Sequence, residues 1–169
     1  LLNNWEATYF DFNEDKLVDI MDEAKSLGVD MFLLDDGWFA NKYPRNSDRQ
    51  GLGDWDETAE KLPNGIGKLV KEATGKGIKF GLWIEPEMVN ADSDLFRTHP
   101  DWILQVPGRT PCHGRYQYVL DFSRQEILDY IYEKIASILE SASISYIKWD
   151  MNRSLSDVWS RGVSARQQG

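Results

Sequence analysis

The stretch Ile78-Lys79-Phe80-Gly81-Leu82-Trp83-Ile84-Glu85-Pro86 decides the fold class. Ile78, Phe80, Leu82 and Ile84 alternate with Lys79, Gly81, Trp83 and Glu85, and a period of two predicts a strand. Pro86 ends it, because proline cannot donate to a ladder. Working towards the N-terminus, Ile66, Leu69, Val70 and Ala73 keep helical spacing after Pro63-Asn64-Gly65, with Gly75 and Gly77 closing the segment. Before that helix, residues 29–34 form a compact apolar run that ends in Asp35-Asp36-Gly37. Upstream again, Leu17, Ile20, Met21, Ala24 and Leu27 predict a helix with Asn13 as N-cap and Gly28 past its end. Residues 4–10 read as a short β-rich run. Towards the C-terminus, Ser123 and Glu126 suggest a capping box for a helix carrying Ile127, Ile131, Ile135, Ile138 and Leu139. Residues 144–149 form the next strand, ending at Asp150. Strands alternating with helices call for a parallel sheet.

Two segments stay irregular. Residues 38–62 are long, polar and rich in Gly, Asn and Asp, as functional loops are. Residues 88–121 carry Pro100, Pro107 and Pro111 and two β-like patches, 102–106 and 116–120.

Composition narrows the function. The chain has 169 residues, 41% of them apolar and 12% aromatic, which suits a packed domain and not a disordered one. Lys and Arg number 19 against 28 Asp and Glu, a net charge of −9 that lacks the footprint of a nucleic-acid or anionic-membrane binder. No run approaches the ~18 apolar residues of a membrane span. The opening Leu1-Leu2-Asn3-Asn4-Trp5 has no charged region and no long apolar run, so no signal peptide is expected. The single Cys112 excludes an internal disulfide, and with only His99 and His113 beside it no zinc site is expected. A soluble, cytoplasmic domain of a reducing compartment is the expectation.

In parallel α/β sheets functional residues gather at the carboxyl ends of strands. Three strands here end in Asp35-Asp36, in Trp83-Ile84-Glu85 and in Lys148-Trp149-Asp150. Acids at strand ends also serve as helix caps or loop solvators. On the last strand Lys148 and Asp150 share one face, and Ile147 and Trp149 share the other, towards the helix layer. An ammonium beside Asp150 favours its ionised form, as a covalent glycosidase nucleophile, a metal ligand or an electrostatic stabiliser requires and as a structural ion pair also provides. Asp35 and Asp36 reach one cleft if the chain turns at Gly37, which suits hydrogen bonds to neighbouring sugar hydroxyls and, less well without further oxygen ligands nearby, a divalent metal. Trp83 is either core filling or a platform for a sugar face. Glu85 is a ligand contact or the partner of an inward Lys or Arg. Arg115, in Gly114-Arg115-Tyr116-Gln117, offers a planar fork to a hydroxyl or carboxylate, or is simply solvated.

Five motifs in order resemble the catalytic domain of the α-galactosidases of glycoside hydrolase family 36. They are Asn4-Trp5-Glu6-Ala7, Leu34-Asp35-Asp36-Gly37-Trp38, Gly81-Leu82-Trp83-Ile84-Glu85-Pro86-Glu87, Gly114-Arg115-Tyr116-Gln117 and Tyr146-Ile147-Lys148-Trp149-Asp150-Met151-Asn152-Arg153. The resemblance implies a TIM-type (β/α)8 barrel, of which residues 1–169 would be a single segment with about the first four βα units. It implies hydrolysis of terminal α-D-galactosides with retention, Asp150 as nucleophile, and no cofactor or metal. Asp35 and Asp36 would hold galactose hydroxyls, Trp83 would stack on or line the pocket, and Arg115, Lys148 and Asn152 would contact the sugar. The family's acid/base lies several strands beyond the nucleophile, so none is expected in this chain, and Cys112 does not match the family's pocket cysteine. A homo-oligomer is expected of the full-length enzyme. Alternatives are a non-catalytic galactose-binding half-barrel, and a galactosyltransferase or α-N-acetylgalactosaminidase of the same superfamily.

Overall fold

A computed structural model describes residues 1–168. Its elements run β1 (Leu2–Asn3), α1 (Trp5–Thr8), α2 (Glu14–Ser26), β2 (Met31–Leu34), α3 (Gly65–Gly75) and β3 (Lys79–Ile84). They continue as β4 (Met88–Asn90), α4 (Asp94–Thr98), β5 (Gln117–Val119), α5 (Gln125–Ser141) and β6 (Tyr146–Trp149). β1, β2, β3 and β6 form one parallel sheet in that order, and β4 and β5 pair antiparallel beside it. The register aligns Leu34 with Leu82 and Ile84 with Trp149, which brings the carboxyl ends of β2, β3 and β6 to one rim.

The helices that the apolar spacing predicts are present, and their stripes are the buried faces. Leu17, Met21 and Ala24 of α2, and Ile66, Leu69, Val70 and Ala73 of α3, close on Phe32, Leu34, Phe80 and Leu82 of the sheet. Asn13 caps α2 by accepting from the Lys16 amide at 2.9 Å. Gly81 sits where β3 is squeezed between neighbours: a Cβ there would lie 3.0 Å from the Leu33 side chain and 3.3 Å from Tyr146. Among the described residues, no helix is long and apolar enough to cross a membrane.

Three local expectations need correction. Residues 4–10 are not a strand. Only Leu2–Asn3 pairs with β2, and Trp5–Thr8 is a helical turn in which the Asn4 side chain donates to Thr8 Oγ1 at 2.9 Å. The expected capping box is absent: α5 begins after Arg124, which makes no side-chain cap bond, while the Ser123 hydroxyl donates to Asp121 at 2.6 Å. The helix starts one residue later than the box requires, so the Ser123 oxygen does not stand at its N-cap. Of the patch 102–106, only Ile103 bridges, to Leu120, whereas Met88–Asn90, read as irregular, forms β4.

Candidate active site

The rim site starts at the end of β2. The Asp35 amide donates to Asn4 Oδ1 at 2.8 Å, and Asp35 Oδ1 accepts from the Asp36 amide at 2.8 Å. This local loop lets two adjacent side chains serve one cleft. Gly37 allows it, at φ 110°, with Phe10, Phe12 and the Lys61 ammonium all within 3.3 Å of where a Cβ would stand. Such a backbone and such neighbours leave room for glycine alone. Both aspartates are nearly buried.

The long loop 38–62 then folds back over the sheet end. Trp38, Phe39, Trp55 and Trp83 form one aromatic cluster, in which Phe39 and Trp83 lie parallel with centroids 6.0 Å apart. Trp38 Nε1 donates to the Trp83 carbonyl at 2.9 Å. With its ring so held, Trp83 points its own Nε1–H at Asp150 Oδ2, 3.0 Å away. Trp83 is therefore packed on Phe39 over one face and presents its polar indole edge to the pocket.

Asp150 follows β6. Its Oδ2 also accepts from Asn152 Nδ2 at 2.8 Å, and its Oδ1 from the Met151 amide at 2.9 Å. Burial pushes its carboxyl up. The hydrogen bonds from Trp83, Asn152 and Met151, with a smaller pull from Lys148, outweigh burial and hold it below the usual carboxylate range. Lys148 is thus not the principal partner of Asp150, contrary to expectation. Its ammonium bonds Asp35 Oδ2 at 2.8 Å, reaching across β3 to the end of β2. Asn3 Nδ2 donates to the same oxygen.

Glu85 also departs from expectation, for no Lys or Arg pairs with it. Fully buried, it accepts from Gln117 Nε2 at 3.1 Å and from the Asn152 amide, and burial pushes its carboxyl up. Its work is to anchor the turn that aims Asn152 at Asp150. Trp149 does not join the helix layer: it is 58% exposed, with Nε1 donating to both Glu87 oxygens at 2.9 Å.

Asp35, Asp36, Trp83, Arg115, Lys148, Asp150 and Asn152 all line one pocket of about 170 Å³, together with Trp5. The fold brings all seven candidates from the sequence into a single cleft. Two residues escaped the sequence reading. Trp5 lines the cleft because the residues after β1 turn into a helix instead of extending. Arg45, on the loop, is fully buried and grips Asp36 with Nε at 2.9 Å and Nη2 at 2.8 Å. The only signal for Arg45 was its place in a long polar loop. Chemically, the cleft offers one activated carboxylate and a ring of charged hydrogen-bonding groups, which suits a neutral polyhydroxylated ligand.

A family model described as Melibiase matches residues 1–169. The α-galactosidase Mel36A of Lactobacillus acidophilus is 54% identical over 169 residues, covering all of this chain and 23% of its own length. The crystal structure of the GH36 α-galactosidase AgaA from Geobacillus stearothermophilus superposes with a TM-score of 0.94 at 51% identity, over 98% of this chain and 23% of AgaA. A variant of AgaA has been solved in complex with raffinose. A more distant match, the α-galactosidase TtGalA of Thermus thermophilus in complex with stachyose, gives 28% identity and a TM-score of 0.72 over 87% of this chain and 31% of TtGalA. The chain thus spans about a quarter of the length of the relatives it matches most fully. Matched along its whole length, the chain belongs to the melibiase family.

Proposed function

We propose that these residues are the nucleophile-bearing part of a (β/α)8 barrel that hydrolyses terminal α-D-galactosides with retention. The parallel sheet of four strands supplies half of the eight that such a barrel needs. The observation that carries the reading is Asp150, a carboxylate held ionised by Trp83, Asn152 and the Met151 amide in the same cleft as Asp35, Asp36 and Arg115. The relatives solved with raffinose and stachyose indicate the substrate class.

In the first step an Asp150 oxygen attacks the anomeric carbon as the glycosidic C–O bond breaks, and the leaving oxygen takes a proton from an acid. In the second, that acid, now a base, deprotonates a water that releases galactose with the original configuration. Asp35 and Asp36 accept from hydroxyls remote from the scissile bond, and Lys148 and Arg115 donate. The acid is assigned to a segment outside these 169 residues. Asp35 and Asp36 already accept charged hydrogen bonds from Lys148 and Arg45, and Glu85 is sealed by Gln117 and the Asn152 amide.

The test is Asp150→Ala in the full-length protein, assayed on p-nitrophenyl α-galactoside. A loss of about four orders of magnitude or more in kcat is expected, with partial rescue by azide, which takes the place of the missing carboxylate. Near-normal turnover of Asp150→Ala would refute the assignment. The isolated 169 residues should show none.

A further inference from the structure

Arg45 lies wholly inside the protein, yet it touches no ligand-facing surface of the cleft. Its planar fork meets the two Asp36 oxygens, Nε to Oδ1 and Nη2 to Oδ2. Nη1 donates to Asn90 Oδ1 at 2.9 Å and to the Gln50 carbonyl at 3.0 Å. Nη2 also lies 3.6 Å from Asp48 Oδ1, and that same oxygen accepts from Arg115 Nη2 at 3.2 Å. Asn90 closes the assembly: it accepts from the Leu52 amide and donates to the carbonyls of Asp48 and Tyr116. Opposite charges therefore alternate from Asp36 through Arg45 and Asp48 to Arg115, from one wall of the cleft to another.

We propose that Arg45 is a positioning residue of the galactoside site, fixing the Asp36 carboxylate in one orientation and tying it through Asp48 to Arg115. The inference rests on the reading of Asp36 as an acceptor for a galactose hydroxyl. A buried carboxylate without a partner reverts to its neutral acid, which would offer the sugar a donor in place of an acceptor. A single ammonium would restore the charge but not the orientation, because only the guanidinium fork meets both oxygens at once. Burial pushes the Asp36 carboxyl up, and Arg45 is the main group pulling it down. The other charged groups facing Asp36 are Asp35 and Asp48, with Lys61 and Glu85 further off.

The test measures the inhibition constant of galactose across the range of carboxylate titration in the full-length protein. The variants are Asp36→Asn, Arg45→Lys, Arg45→Gln and the double Asp36→Asn/Arg45→Gln. Arg45→Gln is expected to raise the constant about tenfold at neutral pH and to move its acid limb up by about one pH unit. Arg45→Lys should weaken binding less and leave the acid limb in place. The double variant buries no unpaired charge, so it remains informative if Arg45→Gln fails to fold, and it should bind galactose as Asp36→Asn does. A loss in the Arg45 variants that does not depend on pH, or one that persists undiminished in the Asp36→Asn background, would overturn the proposal. If Asp36→Asn itself leaves galactose inhibition unchanged, the assignment of Asp36 falls and this inference falls with it.

Discussion

Strands β3 and β6 lie side by side in one parallel sheet, yet they live in different surroundings. From Phe80 to Ile84, β3 is buried without interruption, flanked by β2 and β6 and covered by α3 and the aromatic loop. β6 is an edge strand: Tyr146 and Trp149 are exposed, and Met151, Leu155 and Val158 beyond it are about half open to solvent. The candidate site straddles that boundary. Asp35, Asp36 and Trp83 stand on the buried side, where Arg45, Asn4 and the aromatic cluster hold them. Lys148, Asp150 and Asn152 stand on the edge. In the proposed reading, the two aspartates that accept from sugar hydroxyls stand on the half that packing covers, while the proposed nucleophile stands with Lys148 and Asn152 on the half whose apolar surface is left open. Parallel sheets ordinarily have both faces covered, and the exposed apolar side chains at and after β6 set this edge apart from β3.

The sharpest way to break this comparison is to truncate one side chain from each half. Leu34→Ala, at a site with no exposure, should lower unfolding free energy by about 3–4 kcal/mol in urea denaturation. Should it cost less than Trp149→Ala in the same 169 residues, the two halves are not distinct. The next effect tests recognition. Asp36→Asn removes a charged acceptor and should cut the preference for galactose over glucose by roughly 1.5–3 kcal/mol, read from the two inhibition constants in the full-length protein. The 4-hydroxyl, where the sugars differ, is the group at issue, and an unchanged preference would make Asp36 structural.

Trp149→Ala sharpens the contrast from the other side. In the 169 residues it should cost no more than about 1 kcal/mol, because the ring is largely in water already. A cost several times greater in the full-length protein would show that the edge is covered there.

The smallest effect concerns Lys61, which braces the loop by donating to the carbonyls of Gly37 at 3.0 Å and Arg45 at 2.9 Å. Burial pushes its ammonium down to about 8, from the usual 10.5. Between those values the unfolded chain binds more protons than the folded one, so stability rises with pH. Below about 8 the burial penalty is present in full. Urea midpoints should therefore climb above pH 8, beyond any general trend, and Lys61→Met should remove that climb. An unchanged slope in Lys61→Met would place the ammonium in water.

Much of this was legible because it is local. Periodicity located α2, α3, α5, β2, β3 and β6, since apolar spacing is the imprint of a face that must be buried. The strand-end motifs located Asp35, Asp36, Trp83, Lys148 and Asp150 of the pocket, while Arg115 came from a loop motif and Asn152 from the family resemblance. What misled was where each local side chain finds its partner. Ser123 has the spacing of a cap but bonds Asp121, and Asn4 has a strand-like neighbourhood but bonds Thr8. Lys148 stands beside Asp150 in sequence and bonds Asp35 in space, because Asp150 already accepts from Trp83, Asn152 and the Met151 amide.

The sequence by itself determined the alternation of strands and helices, the parallel sheet, and the set of residues at its carboxyl rim. These follow from hydrophobic period and chain direction, which operate over a few residues. Only the tertiary structure decided who partners whom, across 9 positions for Arg45 and Asp36 and 113 for Lys148 and Asp35. Arg45 reaches Asp36 because a loop without period packs its aromatic residues on Trp83, and Lys148 reaches Asp35 because β3 lies between their strands. Such pairings depend on register and loop closure, and neither leaves a mark on residue spacing.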